Sequence, residues 1–535
     1  MSHVIAIEEP KAPAGLVSLE TSLMQDLPPP SVRINTVESR GDAKEVTIRQ
    51  VGPLVLILTG ATFLNTLSLQ AVVILLPEMS RDLNIPFTRQ QWIVSAYSLT
   101  SGSFLLLFGK LGDVYGCFWV TAVSLGTAFS PVEICLYVMR ALHGLAAAAT
   151  IPSAIGILGY TIPPGRVKNY SFAFYSGGAP LGQAMGNIIG GIISQYTSWK
   201  VVLFVIAGAS CIIGVTAIFA IPKEPGRKEH PEDSPRASGV DWIGAFLFTS
   251  GTLLLIISLS EGASQGWKSG FVIGILIASV ILLLAFVYWQ HYLESKTVKE
   301  PLMPVSTFKN SRFTFAMIIV FLFSGGFTNF TLYSTYFYQD YQLLSPLQTM
   351  LRFLPLGVVG ILTIIASGYL LSRLRGDFIL IFGLVSSCIA NVLFAVPIPP
   401  STSYFAYGMP SMALAAFGVD TVYTCLGLFT TQALPRKDQA IAGAMFQTVA
   451  AMGRAISLPV MAAAQYAVQE KHLKNGRTER FAYLEGLRAA EWVCFGCMVV
   501  CLGVTICGLR NIGKIGLLKK LGQVQSASKE KDSEN

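Results

Sequence analysis

The sequence predicts an all-α integral membrane protein: two six-helix halves with two extra linking helices between them, fourteen transmembrane helices in all. Three observations predict this. Of 535 residues, 52% are hydrophobic and only 13% are charged, too little charge to clothe soluble domains of this size. Apolar runs recur fourteen times, most of them near the roughly 20 residues that a helix needs to cross about 30 Å of hydrocarbon. Motifs that follow the second and fourth runs also return, weakened, after the tenth and twelfth.

Taken in order, residues 1–50 are polar, proline-rich and mixed in charge, without a cleavable signal pattern, and are expected to form a disordered cytoplasmic tail. Six runs follow at 52–77, 91–110, 117–131, 134–160, 171–195 and 201–221, an N-terminal half over 51–221 whose third member is short. The stretch "PKEPGRKEHPEDSPRASG" at 222–239 is the most polar internal segment; its composition suits a solvated cytoplasmic linker, and its charge run could also serve a partner. The two extra helices, 240–260 and 270–291, fall within 240–292, and a cytoplasmic loop occupies 293–313. The C-terminal half, 314–510, holds runs at 314–336, 347–371, 377–396, 404–430, 441–466 and 491–510, with a tail at 511–535. None of the runs alternates with period two, which excludes a membrane β-barrel.

An even number of spans leaves both termini on one side. With the termini inside, the inner loops hold fifteen Lys and Arg and the outer loops nine, so both ends are expected in the cytoplasm. "GKLGDVYG" at 109–116 then becomes a cytoplasmic turn between helices 2 and 3. Its degraded echo is "GYLLSRLRGD" at 368–377, after helix 10, just as "TIPPGRVKNYSFAF" at 161–174 is echoed by "ALPRKDQAIAGAMF" at 433–446. Both echoes are displaced by eight helices, which places two extra helices between parallel halves, the construction of a carrier that rocks about a midplane site.

No soluble type of catalytic constellation is visible. The five histidines are scattered without metal spacing, and the cysteines at 494, 497, 501 and 507 have no histidine nearby to complete a zinc set. No metal and no cofactor are expected. A channel would need a repeated filter or a ring of carboxylates, and neither is present.

Among the apolar runs stand a few polar groups. Asp420 in "MALAAFGVDTVYTCLGLF" has no charged neighbour in its own span, and an isolated ionised carboxylate there is expensive, at roughly 2.5 to 3.5 kcal/mol near mid-helix. Protonation relieves that cost, as suits a group that carries a proton; an ion pair with Arg140 or Arg352 would also relieve it. Asn65 with Gln70 on helix 1, Gln183 on helix 5, and Asn329 with Tyr333 on helix 9 either line a substrate cavity or bond helix to helix, each pair lying on roughly one helix face. Phe63, Tyr97, Phe174 and Tyr175 offer apolar contact to a solute or to neighbouring helices.

Several motifs resemble the major facilitator superfamily, and specifically its fourteen-helix drug:proton antiporters of fungi. Gly109, Leu111, Asp113 and Gly116 match the family's loop after helix 2, where the resemblance implies a latch between halves formed by Gly109, Asp113 and Gly116. "RALHGLAAAA" places Arg140 and Gly144 at the family's intramembrane arginine and glycine, which implies a proton-coupling role for Arg140 beside Asp420. Gly182, Gly186, Gly190 and Gly191 in "GQAMGNIIGG" have the spacing of the antiporter signature, as gating or packing glycines, and "WK" at 199–200 resembles the tryptophan and basic pair at the end of the first half's fifth helix. The resemblance implies a proton-driven exporter of a small organic toxin, drug or secondary metabolite, working by alternating access. The alternatives are an importer or exporter of a small nutrient or weak acid on the same fold, or a nontransporting sensor. The expected partners are a small organic substrate, protons and the lipid bilayer, with no nucleic acid, for a monomer in the plasma membrane or the vacuolar membrane.

Overall fold

The computed structural model describes residues 48–111, 116–162, 166–220, 241–297, 301–396, 398–399, 401–433 and 439–510. The expected linker at 222–239, Asp113 of the glycine-rich turn, and nearly all of both tails lie outside the described residues. Within them the chain forms fourteen long helices: α1 (Ile48–Asp82), α2 (Trp92–Leu111), α3 (Gly116–Ala128), α4 (Glu133–Thr161), α5 (Arg166–Tyr196), α6 (Trp199–Ala220), α7 (Trp242–Gln265), α8 (Gly270–Lys296), α9 (Ser311–Tyr336), α10 (Pro346–Arg373), α11 (Gly376–Ala395), α12 (Tyr404–Gln432), α13 (Gln439–Lys474) and α14 (Glu479–Gly508). A single turn at Phe87–Gln90 precedes α2, a 3₁₀ turn at Val305–Lys309 precedes α9, and a π-helical turn at Phe337–Tyr341 ends it.

Ten of these helices are long and apolar enough to cross a membrane. The other four are α2, α3, α5 and α13. At 13 residues α3 reaches only about 20 Å. The shortfall of α5 and α13 has a different origin: α5 packs on α1 and α10, α13 packs on α2 and α9, and both carry the small and polar residues that close packing needs. At the other extreme α8 packs on α7 and the turn at Val305–Lys309 and is largely exposed to lipid.

Packing repeats with the shift of eight that the sequence echoes. In the N-terminal half α1 packs on α5, α2 on α4, α3 on α4 and α6, and α6 on α1 and α5; the C-terminal half repeats every one of these pairs as α9 on α13, α10 on α12, α11 on α12 and α14, and α14 on α9 and α13. The seams between halves obey the same symmetry, because α2 on α13 becomes α10 on α5. The extra helix α7 lies against the α2 and α13 seam, with Gln91 donating a hydrogen bond to Ser260 at 2.9 Å.

Hydrogen bonds between helix ends define two faces. Trp199 Nε1 donates to Asp82 at 3.0 Å, Arg89 pairs with Glu133 at 2.7 Å, and Arg488 donates to the Ile398 carbonyl at 2.9 Å. These ends share the face opposite the one where α1 begins and α14 ends. On that opposite face one apolar core runs through both halves, from Leu67–Met79 of α1 and Val202 of α6 to Phe330, Phe353, Met412, Leu458 and Leu487. Buried Gln339 stitches it by donating to the Ile74 carbonyl at 2.9 Å. On the terminal face, a second core of Phe313–Phe323, Leu384, Leu426 and Met445 is built from the C-terminal half and α7, with Phe104 of α2 packed against it.

Two boundaries differ from expectation. Of the basic residues counted as an outer loop near 471–488, all but Arg477 are helical: α13 continues to Lys474 and α14 starts at Glu479, twelve residues before the apolar run. Helical spacing stabilises these protruding turns through Lys474 with Glu470 and Arg488 with Glu485, both at 2.6 Å. A count of apolar residues stops at such charges. At the N-terminal end α1 begins at Ile48, inside the segment assigned to the tail.

Glycines set the closest approach. A methyl on Gly182 would overlap the Phe63 carbonyl oxygen and Thr66 Oγ1 of α1, whereas one on Gly177 of the same helix would meet open space. Gly182→Ala is therefore expected to lose about 1 to 3 kcal/mol of stability, and Gly177→Ala to lose none. Thermal unfolding of the two purified variants in detergent checks this; equal losses would show that the α1 and α5 contact is not what the glycine serves.

Candidate functional site

Asp420 lies on the inner side of α12, at the seam between the halves. Its carboxylate lines a cavity of about 20 Å³ together with Gln183 and Ala184 of α5 and Leu356, Gly357 and Gly360 of α10. Gly360 permits this placement, since a Cβ there would stand 2.8 Å from Asp420 Oδ2. Across the seam the Ala184 methyl packs close to Gly357, 3.2 Å from where a Cβ would be. The cavity thus brings together two of the residues singled out by sequence, Asp420 and Gln183, from opposite halves.

Neither arginine offered as a partner for Asp420 holds it. Arg352 stacks its guanidinium over Tyr338 at 5.2 Å and Tyr404 at 5.6 Å. Arg140 is fully buried in the N-terminal half: its Nε donates to the Ile93 carbonyl at 3.0 Å, Nη1 lies 3.4 Å from His143 Nδ1, and the guanidinium sits 4.8 Å above the Tyr97 ring. Tyr97 in turn donates its hydroxyl proton to Asn65 Oδ1. A polar chain from Asn65 through Tyr97 and Arg140 to His143 therefore joins α1, α2 and α4. Arg140 Nη2 and His143 Nε2 are buried without a hydrogen-bond partner.

The remaining polar positions serve each half internally. Gln70 donates to Asn187 Oδ1 of α5 at 3.1 Å. Eight helices later, Asn329 of α9 donates to Ser457 of α13 at 2.8 Å. These are the same helix pair in the two halves, clamped by the same chemistry. Tyr333 is buried beside Glu491, a residue that the sequence reading passed over because it stands at the very edge of its apolar run. Of the signature glycines, Gly182, Gly186 and Gly190 seat α5 on α1 beside Phe63, Leu67 and Ala71, while Gly191 turns the other way, toward Met350 and the Pro346 carbonyl of α10. Gly109 falls in the last turn of α2 and Gly116 opens α3.

The sequence pattern of the Major Facilitator Superfamily matches residues 58–458. The chain belongs to this superfamily of transporters. It is similar to the efflux pump terJ of Aspergillus terreus, 27% identical over 450 residues that span 82% of this chain and 83% of that one. It is also similar to the low affinity ammonium transporter of Saccharomyces cerevisiae, 25% identical across 74% of this chain and 78% of that one. In fold it matches the POT family transporter PepTSo with a TM-score of 0.63 at 13% identity, covering 87% of this chain and 99% of that chain. The protein is thus a multi-pass membrane transporter, and its cargo is a small molecule.

Within this transporter the Arg140 chain is a connected unit. Arg140→Lys keeps the charge but cannot reproduce both the Nε bond to Ile93 and the planar stack on Tyr97. Lysine is expected to recover little of the loss caused by Arg140→Ala, both variants falling by about 1 to 3 kcal/mol in stability. Thermal unfolding of the two variants measures it, and full recovery by lysine would show that charge alone matters.

Proposed function

We propose that this chain is a proton-driven exporter of small organic compounds, with its terminal face in the cytoplasm and Asp420 as the proton-carrying group. The observation that carries this reading is the position of Asp420: a carboxyl at the seam of α5, α10 and α12, with no ion-pair partner among the described residues. An ionised carboxylate needs water or a cation, whereas the protonated acid tolerates a dry contact. Loading a proton therefore favours a seam closed around Asp420, and releasing it favours a wet, open one. That difference couples the proton to the rocking of one half against the other.

Direction rests on two supports. The excess of basic residues in loops on the terminal face supports a cytoplasmic position for that face, and terJ, across 82% of this chain, is named an efflux pump. The cargo is expected to be organic and weakly charged, since the seam cavity offers apolar walls with Gln183 and Asp420 as its polar anchors. The chain is expected to work as a monomer in the plasma membrane, and Asp113 to latch the halves on the terminal face.

Proteoliposomes test the coupling. The wild type is first screened against a panel of small organic compounds under an imposed pH gradient, and one that moves is taken forward. Asp420→Asn, which mimics the protonated acid, should still exchange that compound down its gradient but lose uphill transport driven by pH. Uphill transport at the normal rate in this variant would remove Asp420 from the mechanism.

A further inference from the structure

Apart from the half-buried Asp420, the C-terminal half contains a fully buried acid. Glu491 lies twelve residues into α14, 3% exposed. Among the described residues neither of its carboxylate oxygens has a hydrogen-bond partner and no cation pairs with it. It borders a cavity of about 20 Å³, walled by Tyr333 and Phe337 of α9, Phe394 of α11 and Tyr407 of α12. Such a volume holds about one water molecule.

We propose that Glu491 is a second proton-binding carboxyl of this transporter, loaded through that cavity from the face opposite the chain termini. Two alternatives for a buried acid fail on geometry. The first is a structural ion pair: the nearest cation, Arg488 one turn earlier, is already engaged by Glu485 at 2.6 Å and by the Ile398 carbonyl at 2.9 Å. The second is a bound metal cation, which asks for six or more oxygen ligands, whereas the walls of this cavity are mostly rings and aliphatic carbon. Ionised and alone, the carboxylate would cost several kcal/mol; as a neutral acid it needs no counter-charge.

Among the described residues lining the cavity no second carboxylate competes for the proton. From α9 comes Tyr333, from α12 Tyr407, and from α14 itself the occupied Arg488, with Cys494 one turn on, while α11 presents only Leu393 and Phe394. The cavity reaches the end of the helices: it is bounded by Val396 and Ile398, which leave the end of α11, and by Arg488, whose side chain is 11% exposed. Glu491 and Asp420 thus address different places: one faces the end of the C-terminal bundle, the other the seam. The proposal deepens the exporter reading by giving the cycle a second proton position, but its test does not depend on cargo or direction.

Infrared spectroscopy of the purified full-length chain in detergent reads protonated carboxyls directly. With glutamate carbons isotopically labelled, the wild type at neutral pH should show a protonated-acid band that carries the label shift. Glu491→Gln should lose that band, and Asp420→Asn should keep it. Val396→Trp, which crowds the mouth of the cavity, should slow deuterium exchange of the band. The absence of a labelled acid band in the wild type would overturn the proposal without any variant having to fold, and so would a band that survives in Glu491→Gln. Unchanged exchange in Val396→Trp would overturn the route. Failure here would leave Asp420 untouched, because that residue is judged by pH-driven flux.

Discussion

Direct contact between helix backbones holds this bundle together, because lipid chains are as apolar as leucine and reward no helix for leaving them. The consequence is written in small residues. α5 lies on α1 through Gly182, Gly186 and Gly190, and α13 lies on α9 where a methyl on Gly453 would overlap the Phe321 carbonyl. Each half is made rigid along that pair, and a polar clamp finishes it, Gln70 with Asn187 in one half and Asn329 with Ser457 in the other. Two stiff bodies then meet along α2 with α13 and α5 with α10. At the second of these seams Ala184 packs against Gly357, and a carboxyl is left between the bodies.

The division of the core follows the same logic. A continuous apolar layer joins the halves on the face away from the termini, and Gln339 bridges them through the Ile74 carbonyl. On the terminal face Phe104 of α2 packs against the core of the C-terminal half and α7. In this conformation the layer of Leu67–Met79 and the Gln339 bond fasten the halves at the face away from the termini. Gly191 belongs to that fastening, since it alone of the signature glycines turns from α1 toward Met350 of α10. A transporter that opens this end must part the contact at Gly191 and break the Gln339 bond, while the seams inside each half stay intact.

Much of this was legible in the sequence, for physical reasons that can be named. Hydropathy marks a helix only where lipid surrounds it, so fourteen helices could be counted, yet α13 and α14 were cut short where charged residues at helical spacing carried them beyond the apolar run. The repeat of eight was visible in loop motifs because turns between parallel halves face the same constraints. Asp420 stood out as an acid amid apolar neighbours. Glu491 did not, because the same run was taken to begin at that residue, and its burial depends on Tyr333 and Tyr407, which come from helices far away in the chain. Pairwise choices were equally closed to the sequence: Arg140 and Arg352 were both offered to Asp420, and both are instead spread over aromatic rings.

The central claim is that proton occupancy at Asp420 decides how the halves sit against each other. Spin labels at Tyr196, at the end of α5, and at Leu343, between α9 and α10, are both exposed and report across the fastened face. With the exposed cysteines Cys211 and Cys507 replaced by serine, the distance between the labels can be followed by pulsed electron resonance as pH is changed. The account predicts two populations, a short one matching this structure and a longer one, whose ratio changes with pH in the wild type and ceases to change in Asp420→Asn. A single distance at every pH, or a pH-dependent ratio that persists in Asp420→Asn, would contradict it.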